Sequence, residues 1–133
     1  MLVEISKAEL IDKITILEIK DERIKDEGRL KNVRHELEIL RKLEFETPHK
    51  NELKVVNNTI WELEDGIRKL EETQDFGDEF INLARNIYKF NDERARIKKR
   101  INLEQGSNIV EEKSYWTNVH TSSLKTVFTV LGP

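Results

Sequence analysis

The chain has 133 residues, with 23 Lys and Arg against 26 Asp and Glu, a net charge of −3, five Gly, two Pro and no Cys. The charges are mixed along the sequence instead of gathered into a basic block, which argues against a duplex-binding protein, and without cysteine there is no disulfide and no thiolate chemistry. Few helix breakers among many Glu, Lys, Leu and Ile is the composition of long helices, and no apolar run approaches the roughly 20 residues of a membrane span.

Ser6-Lys7-Ala8-Glu9 has capping-box spacing and opens a first predicted helix that runs to about Asp26. Leu10, Ile14, Leu17 and Ile24 form one apolar stripe, and Ala8, Ile11, Thr15 and Ile19 form a second on another side, with Ile16 beyond it. A helix apolar on two sides is buried on two sides, so this one is expected at the centre of a bundle or shared between two chains. Gly28 is read as a break or bend. A second helix follows through Leu30, Val33, Leu37 and Leu40 to about Glu46, where Thr47-Pro48 stops it.

The third helix carries the strongest periodic signal. Leu53, Val56, Ile60, Leu63, Ile67 and Leu70 form a heptad seam over about five turns. Helices two and three, joined by a Pro-containing turn, are expected to make an antiparallel hairpin. Asp75-Phe76-Gly77-Asp78 is the next break, with Asp78 fit for an N-cap. In the fourth helix Phe80, Ala84, Ile87, Tyr88, Ala95 and Ile101 share a face, and Gly106-Ser107-Asn108 closes it near Gln105. The fold class is therefore all-α, an antiparallel bundle of about four long helices with coiled-coil-like packing over residues 1–115. Residues 116–133, rich in Thr, Ser and Val and without acids, read as an extended tail packed on the bundle or on a partner subunit.

Several segments carry a family likeness. They are Ile11-Asp12-Lys13-Ile14-Thr15-Ile16-Leu17-Glu18-Ile19-Lys20, Asn32-Val33-Arg34-His35-Glu36-Leu37, and Asn57 with Trp61-Glu62-Leu63-Glu64-Asp65. Asp75-Phe76-Gly77, Asn91-Asp92-Glu93-Arg94 with Lys98 and Ile101-Asn102, and Val110-Glu111-Glu112-Lys113-Ser114-Tyr115 complete the set. Over residues 3–115 the chain resembles a family of short helical bacterial and phage proteins classed as a domain of unknown function. The resemblance implies a helical fold and supplies no reaction or catalytic residues. After Tyr115 the pattern is not followed.

Candidate functional residues are the polar ones on inward stripes. Asp21 falls between Leu17 and Ile24, with Glu18 at the stripe's edge; on the fourth helix Asn91 and Lys98 interrupt the apolar face, with Arg94 beside them. Because isolated buried charges cost several kcal/mol, these acids and bases are expected either to satisfy each other internally or to line a polar pocket between helices one and four that takes a small molecule. Trp61 lies off the heptad seam with Asn57, Glu64 and Asp65 around it, as a recognition platform or as packing against a neighbour. The pairs Glu18/Asp21 and Glu62/Asp65 have the one-turn spacing of Mg²⁺-binding carboxylates in all-helical nucleotide pyrophosphohydrolases. Their separation is longer than in that family and Glu62 points off the seam, so no metal and no cofactor is assigned.

Arg94, Arg96, Lys98, Lys99 and Arg100 are spread around their helix and read as a solvated, dipole-favoured helix end. The histidines at 35, 49 and 120 are scattered, and nothing nominates a nucleophile. Expected function is thus a cytoplasmic interaction module that self-associates, with a dimer favoured and neither membrane nor nucleic acid as partner. The alternative is a small-molecule or Mg-dependent enzyme acting on a nucleotide or sugar nucleotide through Glu18, Asp21, Asn91, Arg94 and Lys98. A phage or bacterial structural component contacting partners through the tail is a third reading.

Overall fold

The computed structural model describes residues 1–113, so the extended tail expected at 116–133 lies outside the described residues. Four helices follow in order, α1 (Lys7–Arg23), α2 (Glu27–Arg41), α3 (Lys50–Glu72) and α4 (Asp78–Gln105). The described residues contain no strand.

The start of α1 shows how the chain satisfies a helix end, whose first N–H groups lack intrahelical partners. Ser6 is extended, and its Oγ accepts from Glu9 N at 3.1 Å. Asn102 Oδ1 of α4 accepts from Ala8 N at 2.8 Å, and Ser107 Oγ accepts from Lys7 N at 3.2 Å. Only half of a capping box forms, because the Glu9 carboxylate reaches Lys98 Nζ at 2.7 Å instead. The far end of α4 therefore caps α1, which fixes the two helices antiparallel at this point.

Two expected boundaries move. The break before α2 lies at Ile24–Asp26, where Asp26 Oδ2 accepts from Arg29 N at 2.8 Å, and Gly28 sits inside the first turn of α2. Likewise α2 ends at Arg41, short of Glu46, and residues 42–49 form a loop that brings Phe45 against the core. That loop carries the chain around α1, so the expected α2–α3 hairpin does not form. Instead α1 packs against α2, α3 and α4; α3 packs against α4; and α2 touches α1 alone.

The two stripes of α1 now have distinct partners. Ile14 and Leu17 pack with Val33 and Leu37 of α2, with Leu10, Ile24 and Leu40 around them. Ala8 and Ile11 pack with Leu53, Val56 and Ile60 of α3 and Ile97 and Ile101 of α4. The two-sided first helix is covered within its own chain.

Gly77, not Asp78, holds the N-cap position of α4, and no side chain bonds there. At the other end Gly106 takes φ 63°, the left-handed conformation glycine adopts without penalty, and Ser107 N donates to Asn102 O at 2.9 Å to close the helix. The last fully buried residue of α3 is Ile60 and the first of α4 is Asn91. Beyond these, residues 61–90 form a two-helix arm. Leu63, Ile67, Leu70, Leu83 and Ile87 are only half-buried there, though the helices approach closely enough that a Cβ on Gly66 would stand 3.3 Å from Leu83 Cδ1.

Candidate functional site

Asp12 lies on the second stripe of α1, one turn from Ala8 and from Thr15, and is completely buried. An ionised carboxylate there requires compensation, and α4 supplies it. Arg94, 4% exposed, donates from Nε to Asp12 Oδ1 at 2.9 Å and from Nη2 to Oδ2, a two-pronged fork. From α3, Asn57 Nδ2 donates to Asp12 Oδ1 and to Thr15 Oγ1, each at 2.9 Å, while Thr15 Oγ1 donates to Asp12 O at 2.8 Å. Lys98 Nζ lies 3.8 Å from Asp12 Oδ2, 2.7 Å from Glu9 and 3.3 Å from Glu111. Three helices thus meet on one carboxylate.

The electrostatics follow from this geometry. Burial pushes the Asp12 carboxyl up, but the Arg94 hydrogen bonds and charge, aided by Lys98 and Asn57, outweigh it and hold the group below its ordinary range. Burial likewise pushes Arg94 and Lys98 down, and their acidic partners outweigh it and raise both. All three remain charged across the neutral range. With both oxygens engaged and no access to solvent, Asp12 is suited to joining helices and not to exchanging protons with a substrate.

Of the residues singled out in the sequence, Asn57, Arg94 and Lys98 converge on Asp12, and Asn91 lies beside them, buried, at a small cavity. Glu18 and Asp21 do not join them. Asp21 Oδ1 accepts from Arg34 Nε of α2 at 2.7 Å, while Glu18 sits between α2 and α3, meeting Arg41 of α2 at 3.1 Å and Lys50 and Lys54 of α3 at 3.0 and 3.3 Å. Burial pushes the Glu18 carboxyl up, and the Lys50 and Arg41 hydrogen bonds more than reverse it. A polar pocket spanning α1 and α4 that contains Glu18 and Asp21 is therefore not what forms.

Trp61 is half-buried, with the Arg23 guanidinium 5.8 Å from its ring centre, and it is separated from Asn57, which points into the core. Glu62 pairs with Arg23 at 3.0 Å and Asp65 with Lys69 at 3.3 Å. Among the described residues no group of three or more His, Asp or Glu side chains gathers as a metal site would require. The basic cluster of α4 is divided. Arg94 and Lys98 are interior, contrary to a solvated helix end, while Arg96, Lys99 and Arg100 reach Glu93, Glu112 and Glu52. His49 joins the start of α3 to the end of α4, its Nδ1 2.7 Å from Glu52 and its Nε2 2.6 Å from Glu104. Hydrogen bonds to both acids raise its pKa.

The residue missed in the sequence is Asp12. The criterion that selected Asp21 applies to it equally, since it sits one turn from two members of an inward stripe. Asn102, named only as part of the family likeness, and Glu9, read only as a capping residue, also take part.

These features define a small all-α domain in which α1, α3 and α4 are joined by a buried Asp–Arg–Asn–Lys network. The chain belongs to a family of unknown function (DUF6165), whose model matches residues 1–131, so the family likeness extends past Tyr115 into the tail. Neither the curated proteins nor the solved structures gave a match to the chain. Among the described residues no helix is long and apolar enough to cross a membrane.

Proposed function

We propose that this protein is a helical assembly module that self-associates through the arm formed by residues 61–90 of α3 and α4. The supporting observation is that this arm, which carries the second half of the heptad seam, contains no fully buried residue. Phe76 and Ile81 are each 51% exposed, and Leu63, Ile67, Leu70, Phe80, Leu83 and Ile87 are half-covered. Two helices pack along one line of contact and leave the flanks of their seam in water; a second pair laid against them completes a four-helix cross-section and removes that area. Covering this apolar surface contributes roughly 25 cal/mol per Å² toward association, against the entropy lost on pairing. The first helix offers no comparable surface, because its own chain covers both stripes.

Light scattering across a concentration series tests this reading. The native chain is expected to be a dimer at tens of micromolar concentration. Phe76→Ser/Ile81→Lys, which alters exposed positions only, is expected to give a monomer of unchanged helix content. A native chain that stays monomeric, or a variant that dimerises as well as the native chain, contradicts it.

A further inference from the structure

His49 lies outside the arm and has no part in its proposed pairing. It ends the 42–49 loop and holds the N-cap position of α3, where a side chain that accepts from the first helical N–H groups is preferred. Its imidazole makes no such bond. The ring stands instead between two carboxylates, with Nε2 2.6 Å from Glu104 in the last turn of α4 and Nδ1 2.7 Å from Glu52 in the first turn of α3.

A carboxylate can only accept, so this arrangement needs a donor on both ring nitrogens. A neutral imidazole carries one N–H and one lone pair, and only the imidazolium satisfies both acids. Whichever tautomer the neutral ring takes, one contact becomes lone pair against lone pair. The other loses the charge that makes such a bond roughly twice as strong.

The surrounding charges make Glu104 the sensitive member. Glu52 also meets Arg100 of α4 at 3.5 Å, whereas among the described residues Glu104 has His49 alone as its ion-pair partner. The other charges on the elements that meet here do not replace the imidazolium. Lys50 reaches Glu18 and Glu44, Lys7 of α1 lies 5.8 Å from the Phe45 ring centre, and Lys42 and Glu46 of the loop are exposed. The last turn of α4 holds no basic residue, and the helix dipole disfavours an anion there as it disfavours a cation at the start of α3. Each charge is misplaced on its own helix and is stabilised by the other.

The His49 side chain is 18% exposed, so water screens this contact less than it screens an open surface pair. Hydrogen bonds to Glu104 and Glu52 outweigh burial and raise the imidazole above its ordinary 6.5. A group raised on folding makes its full contribution below the ordinary value and loses it as pH rises through the folded one. The loop that His49 ends carries Phe45 against the core formed by α1, α3 and α4.

We propose that His49 is a proton-dependent clamp that ties the 42–49 loop and the start of α3 to the last turn of α4, and that loss of its proton frees the loop. Nuclear magnetic resonance of the full chain between about pH 5.5 and 9 tests it, through the His49 and Phe45 rings and amide protection factors.

The His49 ring is expected to titrate above 6.5, and the Phe45 resonances to move with the same midpoint. The amide of Leu53, which donates to His49 O at 3.1 Å, should lose roughly threefold to tenfold in protection across the titration, as one charge-assisted bond is lost. Ala8 N should keep its protection, because its acceptor Asn102 is buried. His49→Gln and Glu104→Gln, each removing one charge of the clamp, should abolish the response of Phe45 and Leu53 while helix content stays unchanged. A His49 midpoint at or below 6.5, or Phe45 resonances that do not follow it, overturns the proposal. So does a His49→Gln chain that responds as the native chain does, or a loss of protection at Ala8 equal to that at Leu53, which would be general unfolding and not release of a loop.

Discussion

Asp12→Ala is expected to lower folding stability by about 3–5 kcal/mol, the penalty for leaving a buried partner charge uncompensated. Arg94 is 4% exposed and Asp12 is its ion-pair partner among the described residues, so removing that acid leaves a buried guanidinium without its carboxylate. The second half of the expectation separates a charge effect from a packing effect. Replacing both members, in Asp12→Ala/Arg94→Met, should recover most of the loss, because a buried ion pair exchanged for apolar groups of similar volume is often neutral or stabilising. Urea unfolding followed by far-UV circular dichroism measures both. If the double variant is as unstable as the sum of the singles, the two residues are not coupled and the network does not join α1 to α4.

The same pair contributes to the acid sensitivity of the fold. Asp12 lies below its ordinary value of 3.8 in the folded chain, so its contribution is complete above that pH and is lost as pH falls through the lowered folded value. Asp12→Asn should flatten this part of the acid-unfolding curve.

Ile60→Ala is expected to lose about 2–5 kcal/mol, whereas Ile67→Ala, one heptad further along the same seam, should lose distinctly less in dilute solution. Ile60 is fully buried among Ile11, Leu53 and Ile97, while Ile67 is half-covered in the arm. Sequence period gives the two positions equal rank, and only the end of α1 at Arg23 distinguishes them. If Ile67→Ala becomes more destabilising as protein concentration rises, the arm is covered by a second copy. Equal losses at both positions, independent of concentration, would place the boundary between body and arm wrongly.

What the sequence makes legible follows the strength of local rules. The capping Ser6, the helix that α3 forms and the closing Gly106 are each set by neighbours within a few residues, and each is found where it is expected. The partner of α2 is different. Val33 and Leu37 require an apolar surface but do not name one, and Pro48 marks a turn without saying how far the chain travels around it. For that reason sequence pattern pairs Glu18 and Asp21 with the fourth helix, whereas Asp21 meets α2 and Glu18 meets both α2 and α3. Arg94 and Lys98 looked like a helix end because sequence separation from their partners, Asp12 and Glu9, hides the pairing. Asp12 itself was readable, since it sits one turn from both Ala8 and Thr15.

Self-association through the arm is tested most directly by amide hydrogen exchange on the unaltered chain at low and high concentration. Amides of the arm should exchange more slowly as concentration rises, because pairing covers residues 61–72 and 78–90 and suppresses their local opening. Amides of residues 50–60 and 91–105, already packed within the chain, should keep their rates. Protection that is independent of concentration, or that appears in α1 and α2 and not in the arm, would contradict the account.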